Sequence, residues 1–374
     1  MHENIDKNVW KPIAVPFEEL SKYQKAPGVM IVDQYQKNLE ELFLLRNPKY
    51  RFDKEYKGEF ELFFNENKDR VNWFYFPWRK TVAAFLPEEM HQELRTGRNR
   101  NLITKEEQDR FYNSTIGILG MSVGSHVAIV IAMTGGAKHI KIADPDTLSG
   151  DNLNRIRGSF LDVGTKKAVL VARQIAEINP YAEIDVYEEG LADENIVQFL
   201  NELDLLVEEM DNPYFKIKIR YLCRDKKIPV IMAADNGDGV IVDVERYDMD
   251  KNPKILHGLV KNLDPEKLKN LSAEELPKVI AKIAGANLAV PRMLDSVTEV
   301  GKSLYSWPQL GTAANLCGSA LAYLARRIIL KAPNIKSGRY QVNLDSIFES
   351  GYKRKWFSRK IAFFKFIRNM KQNS

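Results

Sequence analysis

Cysteine is almost absent: Cys223 and Cys317 are the only two in 374 residues. Two thiols cannot build a disulfide framework or a four-cysteine zinc site, so a reducing cytoplasm is the expected compartment. No apolar run approaches the roughly 18 residues that a membrane span requires. The stretch 1–11 is polar and mixed in charge, unlike a secretory signal. A Walker A loop is missing, which disfavours ATP hydrolysis of that class. Acidic residues are missing from Tyr352 onward, where Lys353, Arg354, Lys355, Arg359, Lys360, Lys365, Arg368 and Lys371 are basic. The formal net charge of +5 is therefore a property of the tail, and the remainder is near neutral or slightly acidic. No nucleic-acid partner is expected from such a distribution.

What is present is ordinary for a soluble globular protein: 44% hydrophobic and 28% charged residues. The length suits two or three structural units. Residues 1–97 contain no repeat and read as a mixed accessory or substrate-docking domain. Val32–Leu45 reads as a helix, Phe60–Phe64 as extended, Asn72–Trp78 as an aromatic strand ending near Pro77, and Glu88–Arg98 as a short helix. Thr104 and Glu107 have the spacing of a capping box at the next helix.

From Thr115 the pattern changes. Thr115–Leu119, His139–Ala143, Ile184–Tyr187, Asp204–Glu208, Pro229–Ala234 and Gly239–Tyr247 read as strands. Helical stretches lie between them at Val127–Met133, Lys167–Ile178 and Tyr214–Lys226. Strands alternating with helices predict right-handed crossovers, a Rossmann-like mostly parallel sheet with helices on both faces, and ligands at the carboxyl ends of strands. The expected domains are 1–97, 98–335 and a basic aromatic extension, 336–374.

After the first of these strands comes Gly120-Met121-Ser122-Val123-Gly124, a turn into a helix N-terminus. Such a turn offers backbone N–H groups and the helix dipole to a phosphate. Serines replace two glycines of the full dinucleotide fingerprint, so the turn alone fits a packed loop as well as a ligand. Asp144 ends the next strand, where a carboxylate can accept from ribose hydroxyls, as in a nicotinamide-dependent oxidoreductase.

The chain continues Asp144-Pro-Asp146, then Asn152-Leu-Asn154-Arg155, then Gly164-Thr-Lys166-Lys167-Ala168, and Asp211-Asn212 after a later strand. In this order the motifs resemble the ThiF/MoeB and ubiquitin-activating enzyme superfamily, in the subgroup without zinc CxxC pairs. These enzymes use ATP to adenylate a carboxylate and release pyrophosphate. The resemblance covers roughly Arg95 to Asp248. It implies ATP and Mg2+ as cofactors, a nucleotide site over Gly120, Ser122, Val123 and Gly124, and a ribose contact at Asp144 beside Asp146. It implies phosphate contacts from Asn152, Asn154 and Arg155, a catalytic Lys167, magnesium at Asp211, and Asn212 close to the nucleotide. Arg98 or Arg100, in the segment before the first strand, would reach a partner subunit's ATP, which implies a homodimer.

By the same resemblance the substrate is the C-terminus of a small protein or peptide, or a small-molecule carboxylate. Neither cysteine falls where ubiquitin-activating members carry their acyl-accepting thiol, and both read as core. Direct attack by an amine, water or a separate sulfur donor is therefore expected. The stretch Asp235-Asn-Gly-Asp238-Gly239 resembles a subgroup joined to a nitroreductase-like domain, which would here be a separate partner. The tail, with Trp356, Phe357, Phe363, Phe364 and Phe366 among its basic residues, suits docking on protein at least as well as a membrane surface. Two other classes remain beside adenylation: the oxidoreductase, which leaves Arg155, Lys167 and Asp211 unexplained, and a non-catalytic nucleotide-binding scaffold.

Overall fold

The computed structural model describes residues 9–53, 55–259, 263–269, 271, 275–297, 299–352 and 356–372. Most of the polar opening stretch, and Lys353, Arg354 and Lys355 of the tail, lie outside the described residues.

The N-terminal part forms its own sheet from β1 (Ile13–Val15), β2 (Met30–Val32), β3 (Asn72–Phe76) and β4 (Thr81–Phe85), in the order β1-β3-β4-β2. Helices α1 (Leu20–Lys25), α2 (Tyr35–Arg46), α3 (Lys57–Asn67) and α4 (Glu88–Arg95) accompany it. The expectation of an extended Phe60–Phe64 is corrected, since this run is the middle of α3. Phe60 and Phe63, three residues apart, share one helical face and both pack on Phe43 of α2. This core is aromatic, with Tyr35, Phe43, Tyr50, Phe60 and Trp73 buried together. It is fastened to the rest by polar contacts: Trp78 Nε1 donates to Glu177 at 2.5 Å, Arg95 to the Ala132 carbonyl at 2.6 Å, and Tyr181 Oη to the Leu86 carbonyl at 2.7 Å.

Helix α5 (Lys105–Tyr112) begins with the expected box: Thr104 Oγ1 accepts from the Glu107 amide and Glu107 accepts from the Thr104 amide. The central sheet follows: β5 (Thr115–Leu119), β6 (His139–Ala143), β7 (Glu183–Tyr187), β8 (Leu205–Glu208), β9 (Val230–Asn236), β10 (Gly239–Glu245) and β11 (Gly338–Val342). Its order is β11-β10-β9-β8-β5-β6-β7, with β5 to β9 parallel. Ile116 and Ile118 pack with residues of α6 (Val123–Met133), α7 (Lys167–Ile178) and α13 (Gly311–Ile329). Leu119 packs with residues of α8 (Ile196–Phe199) and α9 (Pro213–Lys226).

The parallel run ends at β9, as a mostly parallel sheet allows. Asn236 and Gly239 pair across a two-residue turn, so β10 runs antiparallel to β9; a link this short cannot make a crossover. Strand β11 then pairs antiparallel with β10, so the sheet continues past residue 335. Beyond β10 lie α10 (Pro265–Leu268), α11 (Glu275–Ala284), α12 (Pro291–Val297), α14 (Asp345–Phe348) and α15 (Trp356–Gln372). The tail helix α15 packs on α12 and buries Phe366. Among the described residues no helix is long and apolar enough to cross a membrane.

The topology determines where a ligand can sit. From β5 the chain moves to β6 and β7 on one side, then returns to β8 on the other. At such a reversal the loops diverge and leave a crevice at the carboxyl ends of the strands.

Candidate active site

The crevice is a cavity of about 760 Å³, within the size range of small-molecule sites. Its first wall is the turn after β5. Gly120 has φ of 80°, and a Cβ there would lie 2.7 Å from the backbone carbon of Glu209. Only glycine lets the ends of β5 and β8 approach so closely. Ser122 then precedes α6, and its buried Oγ has no hydrogen-bond partner among the described residues. That orphan donor lies beside the amide-rich N-terminus of α6, on the cavity lining.

Asp144 is tied into the wall by its own neighbours. Its Oδ2 accepts from the Met121 amide at 2.5 Å and its Oδ1 from the Asp146 amide at 2.8 Å. The carboxylate thus ties the turn after β5 to the loop after β6 from behind the wall. Burial pushes its pKa up, against the Met121 amide and Lys167. Asp146 does line the cavity, and Lys167 Nζ donates to its Oδ2 at 2.8 Å. Lys167 is almost buried at the start of α7, so its ammonium is aimed rather than solvated. Its neighbour Lys166 turns away to the Pro145 carbonyl and Glu189.

Asn152 and Arg155 line the cavity on a loop that folds on itself. Asn152 Oδ1 accepts from the Ser149 amide, and Arg155 Nη1 donates to Asn154 Oδ1 and the Asp151 carbonyl. Arg155 Nε is buried without a hydrogen-bond partner among the described residues. A ring nitrogen of His126 meets the Arg155 carbonyl at 2.5 Å, holding the loop on α6. Asn154 donates to the Gln309 carbonyl at 2.9 Å, so it anchors the segment entering α13 instead of the lining. Asn212 also stays off the lining: its Oδ1 caps α9 through the Tyr214 and Phe215 amides. Asp211, just before it, is exposed and lines the cavity. Gly124 packs against Ile118 behind the wall. Arg100 is remote from this chain's cavity, held by Glu93 at 2.7 Å and the Leu45 carbonyl.

Several residues at the site stand outside the nucleotide motifs. Lys216 of α9 lines the cavity, with Nζ 2.9 and 3.0 Å from the two oxygens of Glu208. One helical turn further, the fully buried Arg220 bonds Glu208 at 2.5 Å and Glu245 at 2.6 Å. Burial works to raise the Glu208 pKa, but Lys216 and Arg220 outweigh it and hold the group ionised. Glu209, on the lining, receives the Ala233 amide at 2.7 Å. Burial pushes its pKa well up despite Lys216. Asp235 at the end of β9 is likewise raised by burial, while accepting from Gln309 and the Cys317 thiol. Pairing an acid at the end of β8 with the helix lysine eight residues on was the only signal available.

Both cysteines are buried. Burial raises each thiol pKa, and the Asp235 charge adds to the effect at Cys317; neither is a ready nucleophile. Among the described residues no group of three or more His, Cys, Asp and Glu could hold a metal by itself. Magnesium needs only one or two carboxylates when phosphate oxygens and water complete its shell. The exposed Asp211 carboxylate fits that donor set.

The far half of the cavity is apolar. Ile241 of β10, Ile283 of α11, Leu294 of α12, Trp307 and Phe366 close it. Asn236 fastens this roof, donating to the Leu288 carbonyl and accepting from the Val290 amide at 2.7 Å.

Among known proteins, an uncharacterized protein MT1398 from Mycobacterium tuberculosis is 35% identical over 282 residues, covering 75% of this chain and 39% of that protein. A tRNA threonylcarbamoyladenosine dehydratase from Bacillus subtilis is 30% identical over 193 residues, covering 49% of this chain and 76% of the relative. The adenylyltransferase and sulfurtransferase UBA4 of Candida albicans is 27% identical over 140 residues, covering 37% of this chain and 31% of that protein. The chain thus spans about two fifths of the mycobacterial relative's length and under a third of the yeast one's. The model of the ThiF family matches residues 96–360, well over half of the chain. That span includes the glycine turn, the Asn152–Arg155 loop, Lys167, Asp211 and all of the roof but Phe366, and the chain belongs to the ThiF family.

Proposed function

We propose that this chain adenylates a carboxylate with Mg-ATP and releases pyrophosphate. The observation that carries the reading is the convergence of Arg155, Lys167, Asp146 and Asp211 on one cavity, beside the amide-rich start of α6. A carboxylate oxygen of the substrate attacks the α-phosphorus, a new P–O bond forms, and the bridging P–O bond to pyrophosphate breaks. The electron pair leaves with pyrophosphate, and no proton has to move when the substrate is ionised. Charge builds on the equatorial and leaving oxygens, where positioned cations and amides act. Lys167 and Arg155 are the cations for that charge, and Ser122 with the first amides of α6 supplies the donors. Magnesium, held by Asp211 and phosphate oxygens, would neutralise the departing pyrophosphate. The ribose lies over Asp146.

The substrate belongs to the range that the ThiF relatives suggest: the end of a small protein or peptide, or a small carboxylic acid. A homodimer bringing Arg98 or Arg100 to a second copy's nucleotide belongs to the same reading. Calorimetric titration with Mg-ATP of the wild type and Asp211→Ala, followed by ATP–pyrophosphate exchange with candidate carboxylates, tests it. Tight binding that depends on Asp211, and exchange that depends on an added carboxylate, are expected. Preference for NADH over ATP would overturn it in favour of the oxidoreductase.

A further inference from the structure

On the adenylation reading the nucleotide is held from β5, β6 and α7, with Asp211 after β8, on one side of the cavity. The other side, toward β9 and β10, is a chamber walled by Ile241, Ile283, Leu294, Trp307 and Phe366. In-line attack requires the acyl group to approach the α-phosphorus opposite the pyrophosphate, so the attacking carboxylate needs a seat of its own. At the chamber floor stands Lys216. Two of its three donors face Glu208, and the third meets the Met232 sulfur at 3.2 Å. A thioether is a poor acceptor, which an incoming carboxylate would displace with gain. Glu208 is shared with Arg220, so it does not neutralise Lys216 alone. Met232 packs in one cluster with Ile283, which sets the ammonium next to the apolar wall.

We propose that this chamber seats the acyl substrate, a carboxylate borne on a compact apolar body, with Lys216 as the carboxylate's ion partner. The inference rests on the adenylation reading for its purpose and on the chamber for its chemistry. Such a carboxylate is either a free small acid or the apolar last residue of a peptide. A Gly-Gly end would leave the chamber without apolar contact.

The test is calorimetric titration of the full chain, saturated with a non-hydrolysable ATP analogue, with acetate, butyrate, hexanoate, hexanamide, and tetrapeptides ending in Leu or in Gly-Gly. Affinity should rise about threefold to fourfold per methylene from acetate to hexanoate. Hexanoate should bind at least tenfold better than hexanamide, and Lys216→Met should abolish that preference. Binding of the Leu-ending peptide above hexanoate identifies a peptide end, and the reverse order identifies a free acid. Met293 of α12 also lines the cavity; Met293→Trp should weaken hexanoate at least tenfold and the analogue less than twofold, while Phe366→Ala shifts the preference to longer chains. The proposal is overturned if affinity ignores chain length, if the Gly-Gly peptide matches the Leu peptide, or if Lys216→Met and Met293→Trp each weaken analogue and acid alike, which would assign the chamber to the nucleotide. Loss of pyrophosphate exchange with acid binding intact would sink the adenylation reading and leave the chamber assignment standing.

Discussion

The two halves of the cavity are built from different kinds of sequence. The wall over β5, β6 and β8 is made by short segments that fold on themselves: Gly120 at positive φ, Asp144 bonded to two nearby amides, and the Asn152–Arg155 loop. The roof over β9 and β10 is made by segments far apart in the chain: α11, α12, Trp307 and Phe366. Local hydrogen bonding orients polar side chains closely, as phosphoryl chemistry requires. Packing between distant helices shapes an apolar volume, and such a volume tolerates substitution while size is kept. A wall for a constant ligand and a roof for a variable one would be divided in this way.

The largest effect should come from the floor that both halves share. Arg220→Met leaves Glu245 buried without its ion partner and Glu208 with Lys216 alone among the described residues, and about 3–5 kcal/mol of stability should be lost. Urea unfolding followed by fluorescence measures it; a loss under about 1 kcal/mol would mean that water reaches the pair. Next, the halves should separate in function. Lys167→Ala should lower pyrophosphate exchange about 10²–10³-fold with little change in unfolding midpoint. Asn236→Ala, which frees the 288–290 segment, should weaken the acyl substrate while ATP affinity stays near wild type. Equal effects of both variants on ATP binding would erase the distinction.

A smaller, pH-dependent effect follows from the two raised carboxyls. Glu209 and Asp235 hold their protons in the folded chain at pH values where the unfolded chain has released them. In the window above the ordinary values of 4.5 and 3.8, the folded state therefore binds more protons, and stability falls as pH rises toward the raised pKa values. Glu208 works in the opposite direction: its folded pKa is lowered, so its contribution is lost as pH falls through that value. Unfolding midpoints of wild type and Glu209→Gln from pH 4 to 8 should diverge most at the alkaline end, with the variant the flatter (about one slope unit per proton). Parallel curves would show that Glu209 is ionised throughout.

What could be read in the sequence follows the same division. The apolar run Thr115–Leu119 could be read because a strand buried on both faces leaves no polar period. The cavity-lining Asp146, Asn152, Arg155, Lys167 and Asp211 could be read because their motifs, in that order along the chain, resemble those of the ThiF family. Phe60–Phe64 misled because a block of phenylalanines satisfies strand and helix alike; only Phe43, 17 residues earlier, selects the helix. The direction of β10 was hidden because every residue of it is buried, and only the length of the 237–238 link reveals the reversal. Lys216 was invisible because a lone lysine on a helix reads as solvated until Glu208 stands opposite. The roof was unreadable for want of any local signal that brings α15 to α12.

The smallest prediction lies at the joint between the N-terminal unit and the central sheet. Thr104 caps α5, whose Phe111 is fully buried in the main core. Its Oγ1 accepts from the Glu107 amide at 3.3 Å, and the Glu107 carboxylate accepts from the Thr104 amide at 3.1 Å. Thr104→Ala removes one of these bonds and should cost about 1 kcal/mol, with Thr104→Ser close to wild type. Because α5 precedes β5 and does not line the cavity, ATP affinity should stay unchanged while the unfolding midpoint falls. A change in ATP affinity that tracks the loss of stability would instead tie the nucleotide wall to the joint. The local hydrogen bonds that define the wall would then be insufficient to hold it without support from outside the sheet.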